Sequence, residues 1–208
     1  MSTYIMTDIH GYYDDYADLM TVISQKAGLE MDSVGYTLTA YQALRQVSSY
    51  FDCYGTVGSL IQKKKVTLGQ LAQWAAYIRK MPYFYEIMVG GRRCIIVHAG
   101  YVESLECLKK GETDDTYDSL EEFYLTARDA AYVYGGVKHG MILAGHTPTT
   151  EIYEFPFNYG KVYRDYDEKA DCVFYDLDCG WGVKESNPEA RLACMRLEDE
   201  KIFYIQNG

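Results

Sequence analysis

Three short apolar runs, each followed at once by a loop that carries histidine, constrain this chain more than any other feature. The first is Tyr4-Ile5-Met6-Thr7, which gives way to Asp8-Ile9-His10-Gly11. The second is Cys94-Ile95-Ile96-Val97, followed by His98-Ala99-Gly100. The third is Met141-Ile142-Leu143-Ala144, followed by Gly145-His146-Thr147-Pro148. Apolar, β-prone runs of this length read as short strands. A run that is apolar throughout, like residues 94–97, is expected of a strand buried on both faces. Strands that run out into such loops and lead on to helices place sites at their carboxyl ends in α/β proteins. The chain is therefore expected to be α/β. Its 208 residues suffice for one domain with a substantial core. No repeat, low-complexity tract or linker divides it, so 1–208 is expected to be a single domain.

Other elements follow from spacing and turn residues. Tyr12–Ala27 reads as a helix closed by Gly28. Tyr36–Tyr50 also reads as a helix, and Gly55–Gly58 as a turn. In Thr67–Lys80, Leu68, Leu71, Trp74, Ala75 and Ile78 recur at helical spacing, and Met81-Pro82 stops the helix. Tyr83–Val89 and Arg93–His98 form a hairpin around Gly90-Gly91. Glu103–Ser119 is polar and acidic, a loop with a short helix, and Leu120–Tyr134 reads as a helix carrying Arg128. Four strands are expected near the end, at 161–163, 172–178, 193–197 and 202–205, the last two joined by Asp199-Glu200-Lys201.

Composition narrows the function. The formal charge is −10, which excludes a broad electrostatic surface for nucleic acid. No apolar run reaches the roughly 20 residues a membrane span needs. Met1-Ser2-Thr3 leads directly into the first strand without a basic segment, so no secretory signal is expected. The six cysteines (Cys53, Cys94, Cys107, Cys172, Cys179, Cys194) show no C-x-x-C pair. They are expected to be reduced thiols of a cytoplasmic protein rather than a zinc cluster.

The candidate chemistry lies at the strand ends. Asp8 and His10 are two apart, so an extended backbone points both to one side. A carboxylate beside an imidazole is a ligand pair for a divalent metal. Each histidine taken alone is either a ligand or a packed, capped side chain. Together, Asp8, His10, His98 and His146 suggest a site for one or two ions. Histidine ligands favour Mn, Fe or Zn over magnesium alone. Ions so held suit hydrolysis of phosphate esters, with an arginine adding charge for the transition state. His139 lacks a strand-end setting and reads as a surface or hinge residue.

Four stretches in order resemble the calcineurin-like metallophosphoesterase superfamily, in its serine/threonine protein phosphatase-like branch. Asp8-Ile9-His10-Gly11 is similar to the first family motif, with Thr7 in the leading place. Val97-His98-Ala99-Gly100 and Gly145-His146-Thr147-Pro148 resemble two later ones. Phe123-Tyr124-Leu125-Thr126-Ala127-Arg128-Asp129 resembles the family's Leu-Trp-x-Arg-Glu. Asp176-Leu177-Asp178-Cys179-Gly180 and residues 191–197 look like the closing strands. The resemblance implies two packed mixed β-sheets flanked by helices. It implies Asp8 and His10 on the first metal, His98 and His146 on the second, and Arg128 on the phosphate. It implies a phosphorylated substrate, a phosphoprotein or a small phosphate ester.

Two family motifs are missing between His10 and His98. Gly-Asp-x-x-Asp-Arg-Gly would supply the carboxylate that bridges the metals. Gly-Asn-His-Glu would supply a further ligand and the histidine that protonates the leaving group. The only histidines are His10, His98, His139 and His146. Where the family places two central strands with these ligands, this chain offers a helix. Two cations without a bridging carboxylate repel each other, so double occupancy should be weak. Loss of a general acid removes about 10²–10⁴-fold of rate. The gap fits either a catalytically impaired relative that acts as a metal- or phosphate-binding module, or a chain that omits a segment of the working protein.

Overall fold

Gly90 and Gly91 both adopt positive φ, 59° and 82°. That left-handed pair is what a primed two-residue hairpin turn requires. It joins β2 (Phe84–Val89) to β3 (Arg92–Val97), antiparallel with Val89 opposite Arg92. The structure is a computed structural model, and it describes residues 3–6, 67–78, 80–108, 117–128, 137–151 and 160–206. The ligands expected at Asp8 and His10, and the helices expected over Tyr12–Ala27 and Tyr36–Tyr50, lie outside these residues. The chain divides into two compact units, Met1–Asp8 with Tyr83–Gly208, and Ile9–Pro82.

In the first unit, β4 (Gly140–Ala144) pairs parallel with β3. β6 (Cys172–Asp176) pairs parallel with β4, and β5 (Tyr163–Asp167) closes the far edge antiparallel. The order of this mixed sheet is β2-β3-β4-β6-β5. A second, antiparallel sheet has the order β1-β7-β8. Its strands are β1 (Tyr4–Met6), β7 (Arg191–Arg196) and β8 (Lys201–Gln206).

Alternation along the strands explains how the sheets meet. Cys94, Met141, Leu143, Val173 and Tyr175 point to one face of the mixed sheet. They form a single core cluster with Ala193 and Met195 of the second sheet and Leu197 just past β7, and Ile5, Ile202 and Tyr204 pack against it. The two sheets therefore pack face to face. The intervening residues Ile95, Ile142 and Phe174 face the other way, yet none is more than 2% exposed. Burial on both faces is why the runs in β3 and β4 are apolar throughout. The fold is α/β, as expected.

A helix, α2 (Leu120–Thr126), follows in chain order after a 3-10 turn at Leu105–Leu108. Ser119 caps its start, accepting the Glu122 N–H at 3.1 Å. The Tyr124 carbonyl accepts the Ala99 N–H at 2.9 Å, and the Tyr124 hydroxyl donates to the Val102 carbonyl at 3.0 Å. The Tyr124 ring also stacks on Tyr101 and meets Phe84 edge-on. Phe84 sits opposite Val97, so α2 lies on the outer face of the mixed sheet.

Two expected elements are corrected here. The helix expected over Leu120–Tyr134 stops at Thr126, because Ala127 is extended (φ −60°, ψ 125°). The Thr126 hydroxyl donates back to the Glu122 carbonyl at 2.7 Å, and Ala127 is fully buried. The rest of the expected span, residues 129–134, lies outside the described residues. The strand expected at Lys161–Tyr163 instead spans Tyr163–Asp167. Its polar Tyr-Arg-Asp-Tyr-Asp sequence conceals an edge strand held by its ladder to β6 and by Arg164 Nε donating to the Tyr175 hydroxyl at 3.1 Å.

In the second unit, α1 (Leu68–Ile78) opens with a capping box. The Thr67 hydroxyl accepts the Gln70 N–H at 3.2 Å, and the Gln70 side chain accepts the Thr67 N–H at 2.9 Å. The helix fits the expected Thr67–Lys80 span. Ile78 is buried and Trp74 half-buried, while Gln73 and Tyr77 are exposed, so the described side chains are amphipathic. No helix among the described residues is long and apolar enough to cross a membrane.

Candidate functional site

The parallel strands β3, β4 and β6 bring their carboxyl ends to one edge of the mixed sheet. His98 follows Val97, the last residue of β3, and His146 follows β4 by one glycine. The Gly145 N–H donates to the His98 carbonyl at 2.8 Å, which fastens the two loops to each other. The imidazoles of His98 and His146 then lie 4.8 Å apart between ring centres, tilted by 61°. Both side chains are half-buried. The two residues that the resemblance assigns to one metal are thus side by side, although 48 positions separate them in the chain.

His146 holds a φ of +73°. This is left-handed backbone in a residue that is not glycine, at a cost of order 1 kcal/mol or more. Gly145 precedes it, and the Thr147 N–H donates to the Gly145 carbonyl at 2.9 Å, closing a tight turn. Strain of this kind persists where the surroundings fix a side chain's position.

Arg128 stands just past the end of α2, with an exposed side chain. Its carbonyl accepts the Thr147 hydroxyl at 3.2 Å, so the early end of α2 places Arg128 against the turn that carries His146. Its guanidinium meets the Glu151 carboxylate at 3.5 Å. Had the helix continued as expected, Arg128 would have sat on a helical face instead.

Asp176 and Asp178, at the end of β6, are carboxylates to which sequence reasoning gave no site role. Both are 2% exposed. The signal was an Asp-x-Asp at a strand end, comparable to Asp8-x-His10. Each accepts a backbone N–H two residues on. Asp176 accepts the Asp178 N–H and Asp178 accepts the Gly180 N–H, each at 2.9 Å. Among the described residues, no group of three or more His, Cys, Asp or Glu is placed to hold a metal.

The spacing of the pair is one that a shared ion would allow. Two imidazoles bound to one tetrahedral metal through bonds of about 2.0–2.1 Å hold their ring centres about 5 Å apart. The observed 4.8 Å matches that spacing. His139 is at the opposite end of β4. It is exposed, its Nδ1 is 3.0 Å from the Asp171 carboxylate, and that contact is the main cause holding the Asp171 carboxyl below its usual range.

No family model matches the chain. No curated protein matches it either. Among solved structures, one described as a novel archaeal phosphodiesterase aligns over 99% of this chain and 99% of its own length. Its identity to this chain is 11% and the TM-score is 0.40, a likeness too slight to carry an argument about activity.

Proposed function

We propose that this chain is a metal-dependent phosphoesterase of the serine/threonine protein phosphatase-like type, hydrolysing phosphate monoesters with a metal-activated water. The observation that carries this reading is the 4.8 Å juxtaposition of His98 and His146 at the ends of adjacent parallel strands. His98 and His146 would hold one divalent ion (Mn, Fe or Zn), and the resemblance implies a separate one on Asp8 and His10. When bound, the ion polarises a phosphoryl oxygen and lowers the pKa of bound water. Arg128 would take a phosphate oxygen through its guanidinium, a charge-assisted contact that strengthens as charge develops. Its carbonyl tether to Thr147 keeps the arginine at the His146 turn. The substrate would be a phosphoprotein or a small phosphate ester, met in the cytoplasm.

A second reading, a pseudophosphatase that binds metal or phosphate without turnover, is favoured by one observation. The only histidine outside the expected ligands is His139, and β4 separates it from His146. That strand spans about 16 Å, too far for His139 to protonate a leaving group at the pair. p-Nitrophenyl phosphate turnover in added manganese distinguishes the readings. The enzyme reading expects turnover that falls to background in His98→Ala. The binding reading expects none in the native chain, with phosphate affinity retained.

A further inference from the structure

Arg128 and Glu151 are held in place by their backbones. The Arg128 carbonyl is tied to the Thr147 hydroxyl. The Glu151 N–H donates to the Pro148 carbonyl at 2.7 Å, closing a turn directly after Gly145-His146-Thr147-Pro148. Both anchors belong to the loop that carries His146, so guanidinium and carboxylate are presented to each other beside it. Their contact is long, 3.5 Å, and the side chains are 58% and 55% exposed. An ion pair so open is weak enough for an incoming anion to displace. A carboxylate offers a guanidinium the same paired oxygens that a phosphate does. Glu151 therefore stands at Arg128 in the position a phosphate oxygen would take. Once displaced, it remains a negative charge next to whatever replaced it.

We propose that Glu151 is a positioning and selectivity residue of the phosphate site: its carboxylate holds Arg128 beside the His98–His146 loops until a phosphate displaces it, and it disfavours ligands with further negative charge next to that phosphate. This rests on the reading of Arg128 as the phosphate-holding group. The competition lowers affinity for inorganic phosphate, the product, which helps it leave. Repulsion acts more strongly on pyrophosphate, so esters flanked by neutral or basic groups are preferred.

The test is calorimetric titration of inorganic phosphate into the whole chain, prepared without chelator and with manganese, at low salt. Glu151→Gln keeps the side chain's length and removes its charge. The expected result is about two- to fivefold tighter phosphate binding, a larger gain for pyrophosphate, and gains that shrink as salt is raised. In an Arg128→Met background the same change should give no gain. Unchanged or weaker phosphate binding in Glu151→Gln, while Arg128→Met weakens it, would overturn the role of Glu151 and leave Arg128 in place. An equal gain with and without Arg128 would also overturn it, since the effect would then be one of net charge. If Arg128→Met leaves phosphate affinity unaltered, the phosphate role of Arg128 fails, and this inference with it.

Discussion

Met195→Ala tests whether the two sheets share one core. Met195 is fully buried in β7, opposite Ile5 on one side and Ile202 on the other, and it packs into the cluster with Met141, Leu143 and Val173 of the mixed sheet. The substitution deletes three side-chain groups beyond Cβ. At about 0.8 kcal/mol each, the lost transfer energy is roughly 2.4 kcal/mol. An incompletely collapsed cavity adds about 1 kcal/mol, so about 3–4 kcal/mol should be lost. Met88→Ala is the matched control. It makes the same chemical change on β2, where the side chain is 65% exposed, and should cost under about 1 kcal/mol. Urea unfolding followed by the fluorescence of Trp181, itself buried in the same unit, reads both. A Met195→Ala loss as small as that of Met88→Ala, at an unchanged denaturant slope, would refute the shared core.

Further expectations follow from single sites. Gly160→Ala should abolish stable folding, because φ is +64° and an added Cβ would sit 1.7 Å from the Glu189 carbonyl oxygen, a backbone atom; a thermal melt reads it. Burial, seconded by its bond to Glu200, pushes the Tyr175 phenol from 10 up to about 12. The folded state thus holds that proton more tightly than the unfolded chain does. Its contribution to stability is complete below pH 10 and is lost as pH rises towards 12, which unfolding midpoints in Tyr175→Phe should fail to show. Burial raises the thiol pKa values of Cys94, Cys172, Cys179 and Cys194, the last to about 12. No more than two of the six cysteines should therefore react with a thiol reagent before unfolding, and all six after.

Much of the sheet was legible because its signals are local. Gly90-Gly91 between two β-prone runs admits little but a hairpin, and uninterrupted apolar runs at 94–97 and 141–144 demand burial on both faces. The strand-end placement of His98 and His146 followed from those runs. What could not be read was anything set by tertiary context. Nothing in the sequence marks Ala127 as extended, yet it is buried there and Arg128 is tied to Thr147. β5 carries three charged residues in five, so only its pairing to β6 reveals a strand. The left-handed backbone of His146 has no signature of its own, since Gly145 and Pro148 mark a turn without saying which residue bears the strain.

Manganese stoichiometry by elemental analysis, on protein purified without chelator, tests the paired-histidine site most directly. It should be measured in the native chain, in His98→Ala and in His146→Gly, the last chosen because glycine accepts the +73° backbone and so separates ligand loss from misfolding. The account predicts at least one metal per native chain, with less in both variants while their melting temperatures hold. Metal content unchanged in both variants, or a native chain that binds none, would contradict it.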